Sequence, residues 1–215
     1  MIIKSKPLSP FMFKFLAFFL NWIIKRRFNK MIIDPVSLKP GHSYILLCNH
    51  FSFWDGFLAY YLCNKVLWKE DGMKRLYIMS LKKQMEKNWW LNYIGSFSVE
   101  PRKVSMIESF EYAAEMLSEP GNLLLFYPQA NLETSHIRHI HFEHGLHEIV
   151  TRIEGNCQLI WSSNIIDYFE SLKPSVHFDM LDCGTNKDFN LEALKEKVNK
   201  HHLKAMMKNV RYTKE

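Results

Sequence analysis

Alternation of short apolar runs with helix-length segments predicts an α/β fold: a central mixed, largely parallel sheet flanked by helices, preceded by an N-terminal amphipathic helix. Two observations carry the sheet. Runs of strand length recur at SYILLC (43–48), RLYIMS (75–80), FSV (97–99), NLLLFY (122–127), QLIWSS (158–163) and SVHFDML (175–181). Between them, 53–64, 81–91, 104–118 and 141–153 have helical length and spacing. Such alternation lays helices over a sheet whose strands run mostly one way. The N-terminal helix rests on a third observation, the stretch FMFKFLAFFLNWII from Phe11 to Ile24.

That stretch is interrupted only by Lys14 and Asn21, and Lys25, Arg26, Arg27 and Lys30 follow it. Crossing a bilayer takes about 20 apolar residues, so the run is too short to span. No small-residue cleavage site follows it, and its strongest cationic cluster lies on the wrong side for a signal peptide. An aromatic helix ending in cations suits the interface of an anionic membrane; the alternative is an apolar helix packed on the domain. The expected organisation is therefore a membrane-associating segment over 1–35 and one α/β domain over 36–215, placed peripherally on the cytoplasmic face of the membrane.

Composition narrows the function classes. An apolar fraction of 47% with 14% aromatic residues is that of a folded chain. Lys and Arg number 28 against 22 acids, which favours anionic partners. No glycine loop for phosphate and no base-stacking motif accompanies that charge, so nucleic acid is not an expected partner. Cys48, Cys63, Cys157 and Cys183 are widely spaced and form no C-x-x-C pair, which reads as reduced core thiols in a cytoplasmic compartment.

The first strand, SYILLC, runs directly into CNHFSFWDG. Ser52 and Asp55 have the spacing of a capping box before the helical pattern of Phe57, Leu58, Tyr61 and Leu62. His50 precedes the cap by two residues, within reach of the Asp55 carboxylate. Such a contact would make one ring nitrogen a donor and leave the other to accept a proton from a hydroxyl. A structural strand-end histidine is the competing reading. The clearest helix, VSMIESFEYAAEMLSEPG, shows an apolar face through Val104, Ile107, Tyr112 and Met116 and stops at Pro120-Gly121. Trp89, Trp90, Leu91 and Tyr93 read either as a membrane-facing edge or as core aromatics, with core as the default. Lys82-Lys83 reads as a solvated helix start, with a carrier-protein or phosphate contact as the alternative, and LEALKEKVNKHHLKAMMKNV as a charged amphipathic helix.

Asn49-His50-x-Ser52-x-x-Asp55 resembles the N-H-x-S-x-x-D signature of the glycerolipid acyltransferase family, which includes the lysophosphatidic acid acyltransferases. Later blocks follow in the family's order. Gly95-Ser96-Phe97-Ser98-Val99-Glu100-Pro101-Arg102 resembles the second block, Phe126-Tyr127-Pro128-Gln129-Ala130-Asn131 stands where the family carries F-P-E-G-T-R, and Phe142-Glu143-His144-Gly145 resembles F-K-x-G. The resemblance covers about residues 40–165 and is most specific in its first block. It departs in the third, where Gln129 replaces the acid, Ala130 the glycine, and Leu132 follows Asn131 where an arginine is expected.

The resemblance implies an O-acyltransferase of membrane phospholipid biosynthesis. It would move an acyl group from acyl-CoA or acyl carrier protein to a hydroxyl of a lysophospholipid-like acceptor, 1-acylglycerol-3-phosphate or a related lyso-lipid, with no further cofactor. It implies His50 as general base and Asp55 as its orienter, with Arg102 binding an anionic group of the acceptor. Asn49, Ser52, Gly95, Pro128, Gln129, Asn131 and Arg138 complete the expected substrate-binding set. The altered third block points to a changed headgroup, for which the Gln129 amide is a candidate ligand. His136, His139, His141, His144 and His147 fall in one twelve-residue segment. Without H-E-x-x-H or a nearby cysteine they read as a cationic wall by the acceptor, His136 or Arg138 replacing the missing arginine, rather than a metal site. Two other classes stay open: a non-catalytic membrane-surface protein on this fold, and a metal-dependent hydrolase built on the histidines.

Overall fold

The computed structural model describes residues 1–68, 72–168 and 171–209. Seven strands form one sheet in the order β1-β7-β6-β2-β5-β3-β4. They are β1 (Met31–Asp34), β2 (Ser43–Cys48), β3 (Arg75–Leu81), β4 (Ser96–Val99), β5 (Asn122–Phe126), β6 (Cys157–Asp167) and β7 (Ser175–Thr185). Every neighbouring pair is parallel except β6 and β7. The expected mixed, largely parallel α/β sheet is what the chain builds.

Both faces of the central strands are buried, which explains why SYILLC reads as a continuous apolar run rather than an alternating one. Ile45, Leu47, Leu124, Phe126, Leu159 and Trp161 point to one side, where α4 (Ser105–Leu117), α5 (Gly145–Val150) and α6 (Leu191–Asn209) lie. Tyr44, Leu46, Cys48, Leu123, Leu125 and Ile160 point to the other, which α1 (Pro10–Arg27) and α2 (Asp55–Leu62) cover. The α3 helix (Lys82–Lys87) follows β3 directly.

Helix α1 begins where its sequence says it should: Ser9 caps the Met12 amide, Pro10 opens the first turn, and Lys25, Arg26 and Arg27 close the last. It packs on α2 through Phe13, whose ring stacks on Tyr60 at 4.2 Å and on Trp68 at 4.4 Å. The expected N-terminal helix is present, with one side on the domain and the other outward. Phe13, Ala17 and Ile24 are buried, yet Phe11, Phe15, Phe18 and Trp22 on the outward side are apolar too. No helix among the described residues is long and apolar enough to cross a membrane.

Other expectations need correction. β1 was not expected; it pairs with β7, so the sheet takes a strand from within 1–35, inside the segment expected to stand apart. The helix expected over 81–91 is α3 followed by a 3-10 turn at Trp89–Ile94. Trp89, Trp90 and Tyr93 are exposed rather than core. The 141–153 helix is confined to Gly145–Val150, and β6 and β7 run to 11 residues each as an antiparallel pair. Cys48, Cys63 and Cys157 are buried free thiols, with Cys183 partly buried.

Candidate active site

Register brings four strand ends level. Leu46, Leu125, Ile78 and Ser96 align across β2, β5, β3 and β4. Four residues on, the chains leave the sheet at His50, Gln129, Lys82 and Glu100. All four lie at the C-terminal edge of parallel strands, where open α/β sheets bind ligands. Neighbours there are bonded: the His50 amide donates to Gln129 Oε1 at 2.8 Å, and Lys82 Nζ donates to Glu100 at 3.0 Å.

The turn from β2 to α2 is organised around one carboxylate. Asp55 is 1% exposed, and its Oδ2 accepts from the Phe51 amide at 2.6 Å, the Ser52 amide at 2.9 Å and His50 Nδ1 at 2.7 Å. Ser52 Oγ donates to Oδ1 and accepts from the Trp54 amide. Of the expected capping box one half is present, Asp55 reaching back to the Ser52 amide. The Ser52 hydroxyl serves the Trp54 amide instead of the Asp55 amide, and the helix starts at Asp55 with Trp54 as its cap. The same carboxylate oxygen holds the imidazole. A carboxylate only accepts, so Nδ1 carries the proton and Nε2 keeps its lone pair. Nε2 has no hydrogen-bond partner among the described residues, and the ring is partly open to solvent. An oriented imidazole with a free basic nitrogen can take a proton from a hydroxyl.

Asn49 ends β2 with both polar atoms of its own side chain bonded. Its carboxamide donates to the Asn164 carbonyl at 2.9 Å and accepts from the Asn164 amide at 2.7 Å, so a side chain extends the pairing with β6 by one residue. Asn49 therefore fixes the chain where it leaves β2 for His50.

The loop after β5 closes on His50 from the other side. Tyr127 stacks on the imidazole with ring centroids 4.4 Å apart, and the Glu133 amide donates to the His50 carbonyl at 2.9 Å. Burial, then neighbouring Cys48 and Asp55, push the Tyr127 phenol well above its ordinary range, so it stays neutral. Gln129 corrects an expectation: it is buried, its oxygen taken by the His50 amide and its nitrogen by the Glu133 carboxylate. It joins β5 to β2 instead of facing a headgroup. The acid missing at 129 stands four residues later at Glu133, bonded to the amide that replaces it. Sequence reasoning passed over Glu133 because it falls outside the third block. Pro128 is buried as well, whereas Asn131 and Arg138 are exposed.

Arg102 lies in the turn beyond β4. Glu100, held down to about 2 by Lys103 and Lys82, occupies both lysines. Arg102 has no ion pair among the described residues and is left as the free cation of that turn. It and Ala130 are the two non-glycine residues with positive φ among those described, at 64° and 58°. Gly95 is level with Ile45, five residues below His50, and does not belong to this edge. Its φ is 98°, and a Cβ there would stand 2.1 Å from the Leu76 carbonyl oxygen. The turn into β4 therefore requires glycine at this position.

The five histidines are all exposed and spread from the loop into α5, with His136 near Asp167 at the end of β6. Among the described residues no three His, Cys, Asp or Glu side chains converge to hold a metal ion.

No protein-family model matches the chain, and no curated protein matches it. Among solved structures it is similar to the 1-acyl-sn-glycerophosphate (LPA) acyltransferase, PlsC, from Thermotoga maritima. The TM-score is 0.63 at 15% identity, over 94% of this chain and 81% of that one. The chain thus has the fold of a known acyltransferase.

Proposed function

We propose that this protein is an O-acyltransferase that moves a fatty acyl group from an acyl thioester, carried by coenzyme A or a carrier protein, to a hydroxyl of a lyso-lipid. The observation that carries this reading is the His50–Asp55 pair, with Nδ1 bound and Nε2 free at the ligand-binding edge of the sheet. Nε2 takes the hydroxyl proton as the oxygen attacks the thioester carbonyl. The imidazolium, stabilised by Asp55, then returns that proton to the departing thiolate. The amides of Gln129 and Asn131 make no hydrogen bond to any described residue, which suits them to the oxyanion.

On the acceptor side, Arg102, Asn131 and Arg138 are the exposed members of the expected set, and Arg102 suits a phosphate because its guanidinium donates in a fork. Asn49, Ser52, Pro128 and Gln129 position rather than bind. The acceptor class is a lysophospholipid-like alcohol in membrane lipid biosynthesis. We place the protein peripherally on an anionic cytoplasmic membrane face, seated through α1. The first 33 residues hold seven of the 28 Lys and Arg and none of the 22 acids. The rest of the chain is nearly neutral, so attraction to anionic headgroups concentrates beside the exposed Phe11, Phe15, Phe18 and Trp22.

The test is incubation of purified protein with labelled acyl-CoA or acyl carrier protein and a panel of lyso-lipids with and without phosphate, read by mass analysis. Acyl transfer by the wild type should fall by roughly 10²–10⁴-fold in H50A while far-UV circular dichroism is unchanged. Full transfer by H50A overturns the mechanism; no transfer by the wild type returns the chain to a non-catalytic surface protein.

A further inference from the structure

Exposed aromatic residues are not confined to α1. Trp89, Trp90 and Tyr93, on the 3-10 turn Trp89–Ile94, are exposed by 72%, 51% and 48%, and no residue of that turn is buried. Tryptophan is rarely left so open on a surface that meets only water. The turn is tied to the start of α1. The Lys6 amide donates to the Asn92 carbonyl at 2.9 Å, the Lys6 ammonium lies over the Tyr93 ring at 5.3 Å, and α1 begins four residues later at Pro10. Lys83 and Lys87 of α3 precede the turn directly, with Glu86 as the acid between them, and Lys6 adds a third cation over Tyr93.

We infer that Trp89, Trp90 and Tyr93 form a second interfacial anchor that inserts among the headgroups of an anionic bilayer beside α1. The inference rests on the membrane reading of α1 given above. Indole and phenol rings suit this depth because an apolar body enters the acyl boundary while N–H or O–H stays with water and headgroups. Neighbouring ammonium groups supply the attraction to anionic lipid, and their alkyl stems cover apolar surface. A single helix leaves rotation about its own axis open. A second contact at its start fixes that rotation, and with it the side of the molecule turned to the lipid.

Binding of the full chain to vesicles of equal parts phosphatidylglycerol and phosphatidylcholine tests this. W89A/W90A should weaken binding by roughly tenfold or more, without altering thermal stability or transfer to a water-soluble short-chain acceptor. In a W22F background, brominated lipid should quench fluorescence that W89F/W90F removes. Unchanged affinity and unchanged quenching in these variants overturn the second anchor. If F15S/F18S/W22S releases the protein while W89A/W90A does not, the α1 reading stands and this inference fails. If neither releases it, both fail. A change in sedimentation with no change in vesicle binding also overturns it, and assigns the patch to contact between copies of the chain.

Discussion

The two loops that meet at His50 are built in opposite ways. In the β2–α2 turn every polar contact of Asp55 is to a residue three to five positions away, so a single short stretch contains the base, its orienter and the helix cap. The β5–α5 loop reaches the same imidazole through contacts 77 to 83 residues distant in sequence: Tyr127 stacks on it, Gln129 accepts from its amide and Glu133 binds its carbonyl. Local construction resists change, since the one Asp55 carboxylate serves His50, Phe51 and Ser52 together. Long-range construction permits substitution as long as the contact is remade, which is what Gln129 and Glu133 do where an acid was expected.

Breaking the local half should have the larger effect. D55A strands the Phe51 and Ser52 amides and the His50 Nδ1 proton, and should lower stability by about 2–3 kcal/mol while abolishing acyl transfer. D55N keeps the shape but brings an N–H to a site of donors, so transfer falls with a smaller loss of stability. Q129A removes one acceptor from the His50 amide and should cost about 1–2 kcal/mol, with transfer reduced through kcat rather than KM. Urea unfolding and steady-state transfer on the same samples separate these outcomes. If Q129A raises KM alone, Gln129 touches the acceptor and the bridging role given to it is wrong.

That contrast also explains what could be read from sequence. The sheet was legible because β2, β5 and β6 are buried on both faces and read as apolar runs. β1 was not, because MIID is a short edge strand with alternating exposure between a basic cluster and Pro35. His50 with Asp55 was legible because the contact is local. The inward turn of Gln129 was hidden, since its partners lie on another strand and past the block, and the close approach of Gly95 to Leu76 leaves no trace in a motif. Trp89 and Trp90 stood between two readings, core and membrane-facing edge, because tryptophan has the same hydropathy inside and out, and only the structure shows them exposed.

A further long-range tie secures the histidine-rich loop. His202 of α6 is fully buried, with Nε2 donating to the Ile137 carbonyl and Nδ1 accepting from Ser163 Oγ, which also accepts from Trp161 Nε1. Burial, then neighbouring His201, hold the imidazole below its ordinary value, and burial does the same to His177. Both histidines therefore take up a proton less readily when folded than when unfolded, where they protonate at about pH 6.5. The unfolded state binds more protons below that pH, so stability is full above about 6.5 and declines as pH falls toward the lowered native values. H202Q should flatten part of this slope, and H202Q/H177Q more of it, by urea midpoints measured across the window. An unchanged slope would mean that other groups control it.

The smallest expected effect concerns the strain left in the long-range half. Ala130 holds φ at 58°, where an L side chain costs roughly 1–2 kcal/mol, at the position where the resembling family carries glycine. A130G relieves that strain but enlarges the freedom of the unfolded chain, which takes back about 0.5–1 kcal/mol. The net expectation is a gain of about 0.5–1 kcal/mol in urea unfolding. Ala130 is exposed, so no packing is lost to offset it. The activity of A130G then shows what the strain does. Unchanged transfer makes it a by-product of the altered third block, whereas a fall in kcat with greater stability means that the stiff left-handed residue holds the Asn131 amide where the oxyanion forms.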